Sequence, residues 1–393
     1  MAFEFISEAL QKRSSEGLIR SRKTIDSSSG TLIEIEGKHF INFSSNDYLA
    51  MRRSGAVMQG WIDGVSEFGG GSGASPLVTG YTNAHQALEE YLAEKLNRDR
   101  VLLFNSGFSA NHAICQALYG HVTAKTKDLI IADKLMHASF IDGAQNVNAN
   151  LKRYRHNDLA HLEALLSYAK TPNTLVTTES IFSMDGDQAP IVEILPILNT
   201  KDCWLMVDDA HGFGTLGKTG LGVVEEYRLS QKQLPILMAT FGKAIGTAGA
   251  FVAGSHEFIE YLINFAKHYI YSTAMPAAQA YATYMSLQAI QKNERRETLH
   301  ARIDLFKELA NKAGLLLMPS NSAIQPILIG DSEKAMVASQ RLQELGIWVT
   351  AIRYPTVPKH TARLRITLTA GHLEKDIHAL VDALQLSLLT ESC

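Results

Sequence analysis

The sequence predicts an α/β protein: a large, mostly parallel sheet covered by helices, then a smaller α+β unit toward the C-terminus. Three observations predict it. Between about residue 50 and about residue 280, short apolar runs alternate with longer stretches of helical spacing, the pattern strand–helix units give when they assemble a mostly parallel sheet. Beyond that point a long helical stretch leads into shorter runs of different texture. The chain has 393 residues, which at ~150 residues per domain suggests two or three domains.

Residues 1–50 are mixed. "FISEALQKRSSEGLIR" has helical apolar spacing, and "TLIEIEGKHFINFSS" alternates like a short hairpin. Residues 51–280 form the expected large unit. Its strands are "RVLLFNSG", "DLIIADK", "NTLVTTES", "CWLMVDD", "PILMATF" and "AGAFVAG", with helices such as "NAHQALEEYLAEKL" and "NDLAHLEALLSYA" between them. The glycine-rich "FGGGSGASPLVTGY" is too short for a low-complexity region and reads as an ordered loop. Residues 281–393 form the smaller unit, reached by one long helix from "YSTAMPAAQAYATYM" to "LANKAG". After it come "AIQPILIG", "KAMVASQRLQELG", "IWVTAIRYP", "ARLRITLTA" and a closing helix.

A hydrophobic share of 46% and a charged share of 20% are those of a globular chain. The net charge of −3, with Lys and Arg scattered, offers no field to recruit nucleic acid or an acidic membrane. Cys115, Cys203 and Cys393 are too few and too far apart for a disulfide framework or a metal site, so a reducing compartment is expected. The N-terminus has no basic-then-apolar order, and no apolar run approaches ~18 residues, so the expected location is cytoplasmic.

Open α/β sheets bind ligands beyond the carboxyl ends of their strands. Asp208 and His211 follow "CWLMV", Ser183 follows "TLVTTES", His137 follows "DLIIADK" and Lys243 follows "PILMATF". Each alone reads as a cap or a satisfied core residue; their convergence on one rim favours a site. In "NSGFSANHAICQAL" a strand ends at Asn105, glycine permits a tight turn and a helix begins near Ser109. The N–H groups and positive end of such a helix suit a phosphate. Lys243 lacks the flanking residues of a nucleotide-binding phosphate loop, and His256 has no partner at zinc-binding spacing. A cofactor that needs a phosphate cradle, a lysine for a Schiff base and a carboxylate for its ring nitrogen is pyridoxal 5'-phosphate. No metal is expected.

The chain resembles the α-oxoamine synthase family of fold-type-I pyridoxal-phosphate enzymes. The resemblance rests on "NFSSNDYLA", "GGGSGASPLVTGYTNAHQALEEYLA", "LLFNSGFSANHA", "ADKLMHASF", "TESIFSMDGDQAP", "WLMVDDAHGFGTLGKTG", "TFGKAIGTAGAFV", "YIYSTAMPAAQA" and "VTAIRYPTVPKHTARLRITLTA", which run in order along nearly the whole sequence. It implies that Lys243 carries the cofactor, Asp208 pairs with the pyridine nitrogen and His211 with the phenolic oxygen. It also implies that His137 stacks on the ring, that Ser183 contacts the cofactor, and that Gly107, Phe108 and Thr240 help hold the phosphate. Asn46 and Arg365 would face the amino-acid substrate, and Arg20, Arg353 and Thr356 match substrate-side positions of the biotin-pathway members. There are departures: Ala50 stands where the family usually has glycine, and Ala74, Ser75 and Pro76 vary the "GSGASP" loop.

The reaction implied is condensation of L-alanine with a pimeloyl thioester, carried by coenzyme A or acyl carrier protein, with loss of carbon dioxide. A sibling reaction, such as that of glycine C-acetyltransferase, 5-aminolevulinate synthase or an autoinducer synthase, is the alternative. A non-catalytic relative fits less well: 50 mixed residues are too few for a DNA-binding domain and linker, and a silent subunit would lack Lys243. The family further implies a homodimer with active sites at the interface, in which the Thr273 hydroxyl reaches the partner's cofactor phosphate. Ser272 or Thr273 reads equally as a helix N-cap before "MPAAQAYATYM".

Overall fold

The structure, a computed structural model, describes residues 2–120, 128–169 and 173–388. Cys393 lies outside the described residues. The strands are β1 (Ser27–Ser29), β2 (Leu32–Ile35), β3 (Lys38–Asn42), β4 (Arg100–Phe104), β5 (Leu129–Asp133), β6 (Asn150–Tyr154) and β7 (Thr174–Glu179). They continue with β8 (Trp204–Asp208), β9 (Ile236–Thr240), β10 (Ala250–Gly254), β11 (Ile324–Gly330), β12 (Ile347–Trp348), β13 (Thr350–Ile352) and β14 (Ala362–Thr367).

The large sheet has the order β4-β10-β9-β8-β7-β5-β6. Its pairs are parallel except those of β10, which runs antiparallel to both β4 and β9. This is the mixed, mostly parallel sheet of the fold-type-I class. Apolar residues fill both faces. Leu237 and Ala239 of β9 join one core layer and Ile236 and Met238 the other, as the two-residue period of a strand requires.

β6 was not expected as a strand. "NLKRY" carries three exposed residues at the sheet's edge, and a partly wet edge strand lacks the apolar run that marked its neighbours. The expected long helix is two, Ala277–Ile290 and Glu294–Lys312. Arg296 accounts for the break. It is 2% exposed, and it donates to the Ile290 carbonyl at 2.6 Å, the Lys218 carbonyl at 2.7 Å and the Asn293 side chain at 2.9 Å. Carbonyls left open at the interruption are thereby satisfied.

Two smaller sheets complete the fold. β11, β14 and β13 form an antiparallel sheet in that order. The β2–β3 hairpin extends to β1 on one side and pairs in parallel with β12 on the other, tying the first 50 residues to the C-terminal region. The expected strand "IWVTAIRYP" is therefore split, β12 and β13 serving different sheets on either side of buried Val349. The N-terminal helix Phe5–Ser15 forms as its spacing predicts but buries none of its residues. Among the described residues, no helix is long and apolar enough to cross a membrane.

Candidate active site

Strands β4, β5, β7, β8 and β9 end at one rim, because antiparallel β10 keeps β4 aligned with β9. Asp208 is the last residue of β8 and pairs in register with Glu179, the last residue of β7. Both carboxylates are buried. Lys243 follows β9 in a turn closed by the Gly246 N–H on the Lys243 carbonyl at 3.0 Å. His211 stands in the loop after β8. Asp209 latches that loop by accepting from the Val223 N–H at 3.0 Å.

A chain of hydrogen bonds runs from the lysine to Arg365. Lys243 Nζ lies 2.9 Å from His211 Nε2, and His211 Nδ1 lies 2.6 Å from the Tyr48 hydroxyl. Tyr48 donates to Asn46 Oδ1 at 3.2 Å, and both Arg365 Nη1 and Nη2 donate to that oxygen at 3.3 Å. An ammonium at Lys243 has only donors, so with the lysine protonated His211 Nε2 must accept. A neutral ring then carries its proton on Nδ1, which donates to Tyr48. A second chain links the other predicted residues. Asn111 Nδ2 donates to Asp208 Oδ2 at 3.0 Å and to Ser139 Oγ at 2.9 Å; Ser139 Oγ lies 2.7 Å from His137 Nδ1.

Burial pushes the Lys243 amine down to about 8, with Arg365 adding to it and Asp208 and Glu179 opposing. Burial, joined by Lys243, Arg365 and His137, holds His211 well below the usual imidazole range. His137 is lowered chiefly by burial, against the pull of Asp208. Burial and the neighbouring Asp208 raise Glu179 well above the carboxylate range, against the effect of Lys243. The rim therefore gathers two imidazoles of lowered proton affinity, an amine pushed down to about 8, and a Glu179 whose proton affinity burial and Asp208 raise.

The helix Gly107–Tyr119 starts at the same rim. Ser106 caps it, accepting from the Ser109 N–H at 3.1 Å, so the expected start near Ser109 falls two residues earlier. The first N–H groups of a helix have no partner within it, which leaves Gly107 and Phe108 to meet an anion. Thr240 ends β9 at the same rim, its hydroxyl donating to the Gly249 carbonyl at 2.8 Å. Asn105 Nδ2 donates to the Thr273 carbonyl at 2.7 Å. Thr273 is exposed, and neither it nor Ser272 caps the following helix; Pro276 occupies that position.

Toward the substrate side, a cavity of 360 Å³ is lined by His137, Ser183, Thr356 and Arg363 among others. A groove of 420 Å³ on the other side of the Arg353–Thr356 turn is lined by Arg20, Arg353 and Thr356. Arg365 Nε donates to the Ser183 carbonyl at 2.7 Å. The predicted residues Asn46, His137, Ser183, Asp208, His211, Lys243 and Arg365 are thus brought together, while Arg20 and Arg353 stand apart in the groove.

Tyr48, Asn111, Ser139 and Glu179 were missed from the sequence. All four lie within four residues of a residue that was chosen, and Asn111 follows Gly107 by four, one helical turn on. The donor set fits pyridoxal phosphate. It offers a partly neutral lysine amine, a buried carboxylate for a ring nitrogen, a buried imidazole beside that lysine and an open helix end for the phosphate.

A family model described as "Aminotransferase class I and II" matches residues 38–384. The chain is 46% identical over 382 residues to the 8-amino-7-oxononanoate synthase of Aeromonas hydrophila, covering 96% of this chain and 94% of that protein. A structure of a serine palmitoyltransferase variant from S. paucimobilis, solved with a pyridoxal-phosphate adduct of myriocin, aligns with a TM-score of 0.90 at 26% identity. That alignment covers 99% of this chain and 98% of that one. The crystal structure of 8-amino-7-oxononanoate synthase from Francisella tularensis aligns with a TM-score of 0.78 at 32% identity, over 90% of this chain and 99% of that one. The rim geometry, the family model and the near-complete coverage by these relatives agree: the chain belongs to the aminotransferase class I and II family and, within it, to the 8-amino-7-oxononanoate synthases.

Proposed function

We propose that this protein condenses L-alanine with a pimeloyl thioester, releasing carbon dioxide and the thiol and yielding 8-amino-7-oxononanoate for biotin synthesis, with pyridoxal 5'-phosphate as cofactor. The observation that carries the reading is the Lys243–His211–Tyr48–Asn46–Arg365 chain at the sheet rim, in a sequence 46% identical to such a synthase. Serine palmitoyltransferase shares the fold at 26% identity, so the substrates follow the nearer relatives.

Bound at the rim, the cofactor supplies an electron sink for the carbanion that forms next to the amino nitrogen. Lys243 would hold the cofactor at its aldehyde carbon and would take the α-proton of alanine onto Nζ. An amine near 8 is suited to both tasks at neutral pH. Asp208 would pair with the ring nitrogen and favour its protonated form. His211, fixed by Tyr48, presents Nε2 toward the lysine side for the phenolic oxygen. His137 would stack on the ring, and it lines the cavity offered to the thioester. Gly107 and Phe108 receive the phosphate, while Thr240 shapes the adjoining turn. Arg365 and Asn46 hold the alanine carboxylate, since a planar guanidinium offers the two-pronged donor a carboxylate prefers. Arg20, with Arg353 behind it, meets the distal pimeloyl carboxylate in the basic groove.

The test is a product assay. Alanine, glycine or serine is supplied with pimeloyl-CoA, pimeloyl-acyl carrier protein and shorter or uncharged acyl thioesters, and the ketone is identified by mass. Alanine with a pimeloyl carrier should dominate; preference for another pair moves the protein to a sibling reaction. We infer further that the protein acts as a homodimer with shared sites. Lys243→Ala and Thr273→Ala chains, each weak alone, should regain activity when subunits exchange. No gain on mixing returns Thr273 to its own chain's site.

A further inference from the structure

The chain from His137 to Asp208 passes through two residues to which the proposed reaction gives no role. Asn111 and Ser139 are each 1% exposed, and Asp208 is 4% exposed. No water is needed to connect them, and the proton on every link follows from donor chemistry.

A carboxylate oxygen only accepts, so the Asn111 atom 3.0 Å from Asp208 Oδ2 is the amide nitrogen. That nitrogen has two hydrogens. One goes to Asp208, and the other to Ser139 Oγ at 2.9 Å. Ser139 Oγ, which accepts from Asn111, lies 2.7 Å from His137 Nδ1 and keeps its single proton to offer to that nitrogen. The Ser139 N–H also points at Nδ1, from 3.3 Å. Two donors aimed at one ring nitrogen leave it no room for a proton. His137 thus carries its hydrogen on Nε2, on a ring that lines the 360 Å³ cavity.

We propose that Asn111 and Ser139 are positioning residues that lock His137 into the Nε2–H tautomer by referring its orientation to the Asp208 carboxylate. The consequence is directional. His137 offers the cavity a hydrogen-bond donor rather than an acceptor, which suits an acyl oxygen that gains negative charge as the thioester is attacked. Desolvation, which lowers the proton affinity of His137, makes the choice of tautomer meaningful, because a protonated ring would donate from both nitrogens.

The inference rests on the assignment of His137 and Asp208 to one cofactor ring, but its test does not use that chemistry. Full-length protein with ring-¹⁵N histidine is examined by two-bond ¹H–¹⁵N correlation, without cofactor and again with pyridoxal phosphate added. His137 is assigned by loss of its signals in His137→Asn. The native chain should show one neutral form with the proton on Nε2. Asn111→Leu, which removes both amide protons without touching His137, frees Ser139 to accept from Nδ1. It should therefore give a mixture in which the Nδ1–H form reaches at least about a tenth. Ser139→Ala should do the same and serves alone where Asn111→Leu does not fold. A native Nδ1–H form, or an unchanged single tautomer in a variant with native circular dichroism, overturns the proposal. A correct tautomer with no ketone formed from alanine would instead sink the functional reading and leave the lock standing.

Discussion

Asp208→Asn and Arg365→Gln test the electrostatics of Lys243 from opposite sides. Its amine lies near 8 rather than 10.5 because burial disfavours the ammonium. At pH 7 about one chain in ten then carries a free amine, against about one in three thousand for an unperturbed lysine, a gain of about 300-fold in nucleophile. Asp208 resists the shift and Arg365 assists it. A unit charge within such a site contributes on the order of 1–2 kcal/mol at an effective dielectric of about 20, about tenfold in the free fraction. Asp208→Asn should therefore lower the midpoint further, and Arg365→Gln should raise it back toward 10.5. Competitive acetylation of the cofactor-free protein across pH, with the Lys243 peptide quantified by mass spectrometry, reads the midpoint directly. A native midpoint near 10.5, or movement of the two variants in the same direction, would refute the reasoning. The sign carries over to stability. Between 8 and 10.5 the unfolded chain holds the Lys243 proton and the folded chain does not, so this group favours folding more strongly as pH rises through that window.

Asp208→Asn should also cut turnover by at least about a hundredfold, ~2.7 kcal/mol of lost transition-state stabilisation, with circular dichroism unchanged; near-native turnover would remove Asp208 from the chemistry. Gly246→Ala should cost about 3 kcal/mol or more in denaturant unfolding. Gly246 has φ +73°, and a Cβ there would run into the backbone of Met51 and Arg52; a loss below about 1 kcal/mol would show that the Lys243 turn yields easily. Ala50→Gly should stabilise by roughly 0.5–1 kcal/mol, since Ala50 sits at φ +52°, where a Cβ costs about 1–2 kcal/mol against a smaller gain in unfolded-chain entropy. A lower unfolding midpoint in that variant would contradict the strain.

The parts of this fold legible in the sequence are those whose signal is local. Apolar runs such as "DLIIADK" and "PILMATF" became β5 and β9, because strands buried on both faces need no partner to reveal them. β6, an edge strand with three of its five residues exposed, lysine and arginine among them, gives no such signal. The break after Ile290 was hidden for a different reason: it depends on Arg296 meeting Lys218 from far along the chain. The same division runs through the site. Asp208, His211, Ser183 and Lys243 follow strands, so topology alone locates them. Tyr48 is read only once His211 is known to lie 2.6 Å away, across 163 residues of sequence. Asn111 looks like any helical asparagine until Asp208 arrives at its amide.

Two arginines on β14 show how the surroundings, rather than the residue type, divide the work. Arg363 and Arg365 are two positions apart and so project from the same face of the strand; they are 5% and 8% exposed. Arg363 meets the Asp185 carboxylate and is neutralised within the chain. Arg365 donates instead to the Ser183 carbonyl, Asn46 Oδ1 and Thr367 Oγ1, which are all neutral oxygens. They orient the guanidinium without cancelling its charge. A buried cation held this way carries a desolvation cost that only an anion relieves. The chain brings none to it from Asn46, Ser183 or Thr367, whereas alanine brings a carboxylate. The same uncancelled charge helps hold the Lys243 amine near 8. An arriving carboxylate that screens Arg365 should therefore raise the proton affinity of Lys243 at the moment the lysine is to take the α-proton. Substrate binding and base strength would then be coupled through one guanidinium, which Asp185 leaves uncancelled by lying beside Arg363 rather than Arg365.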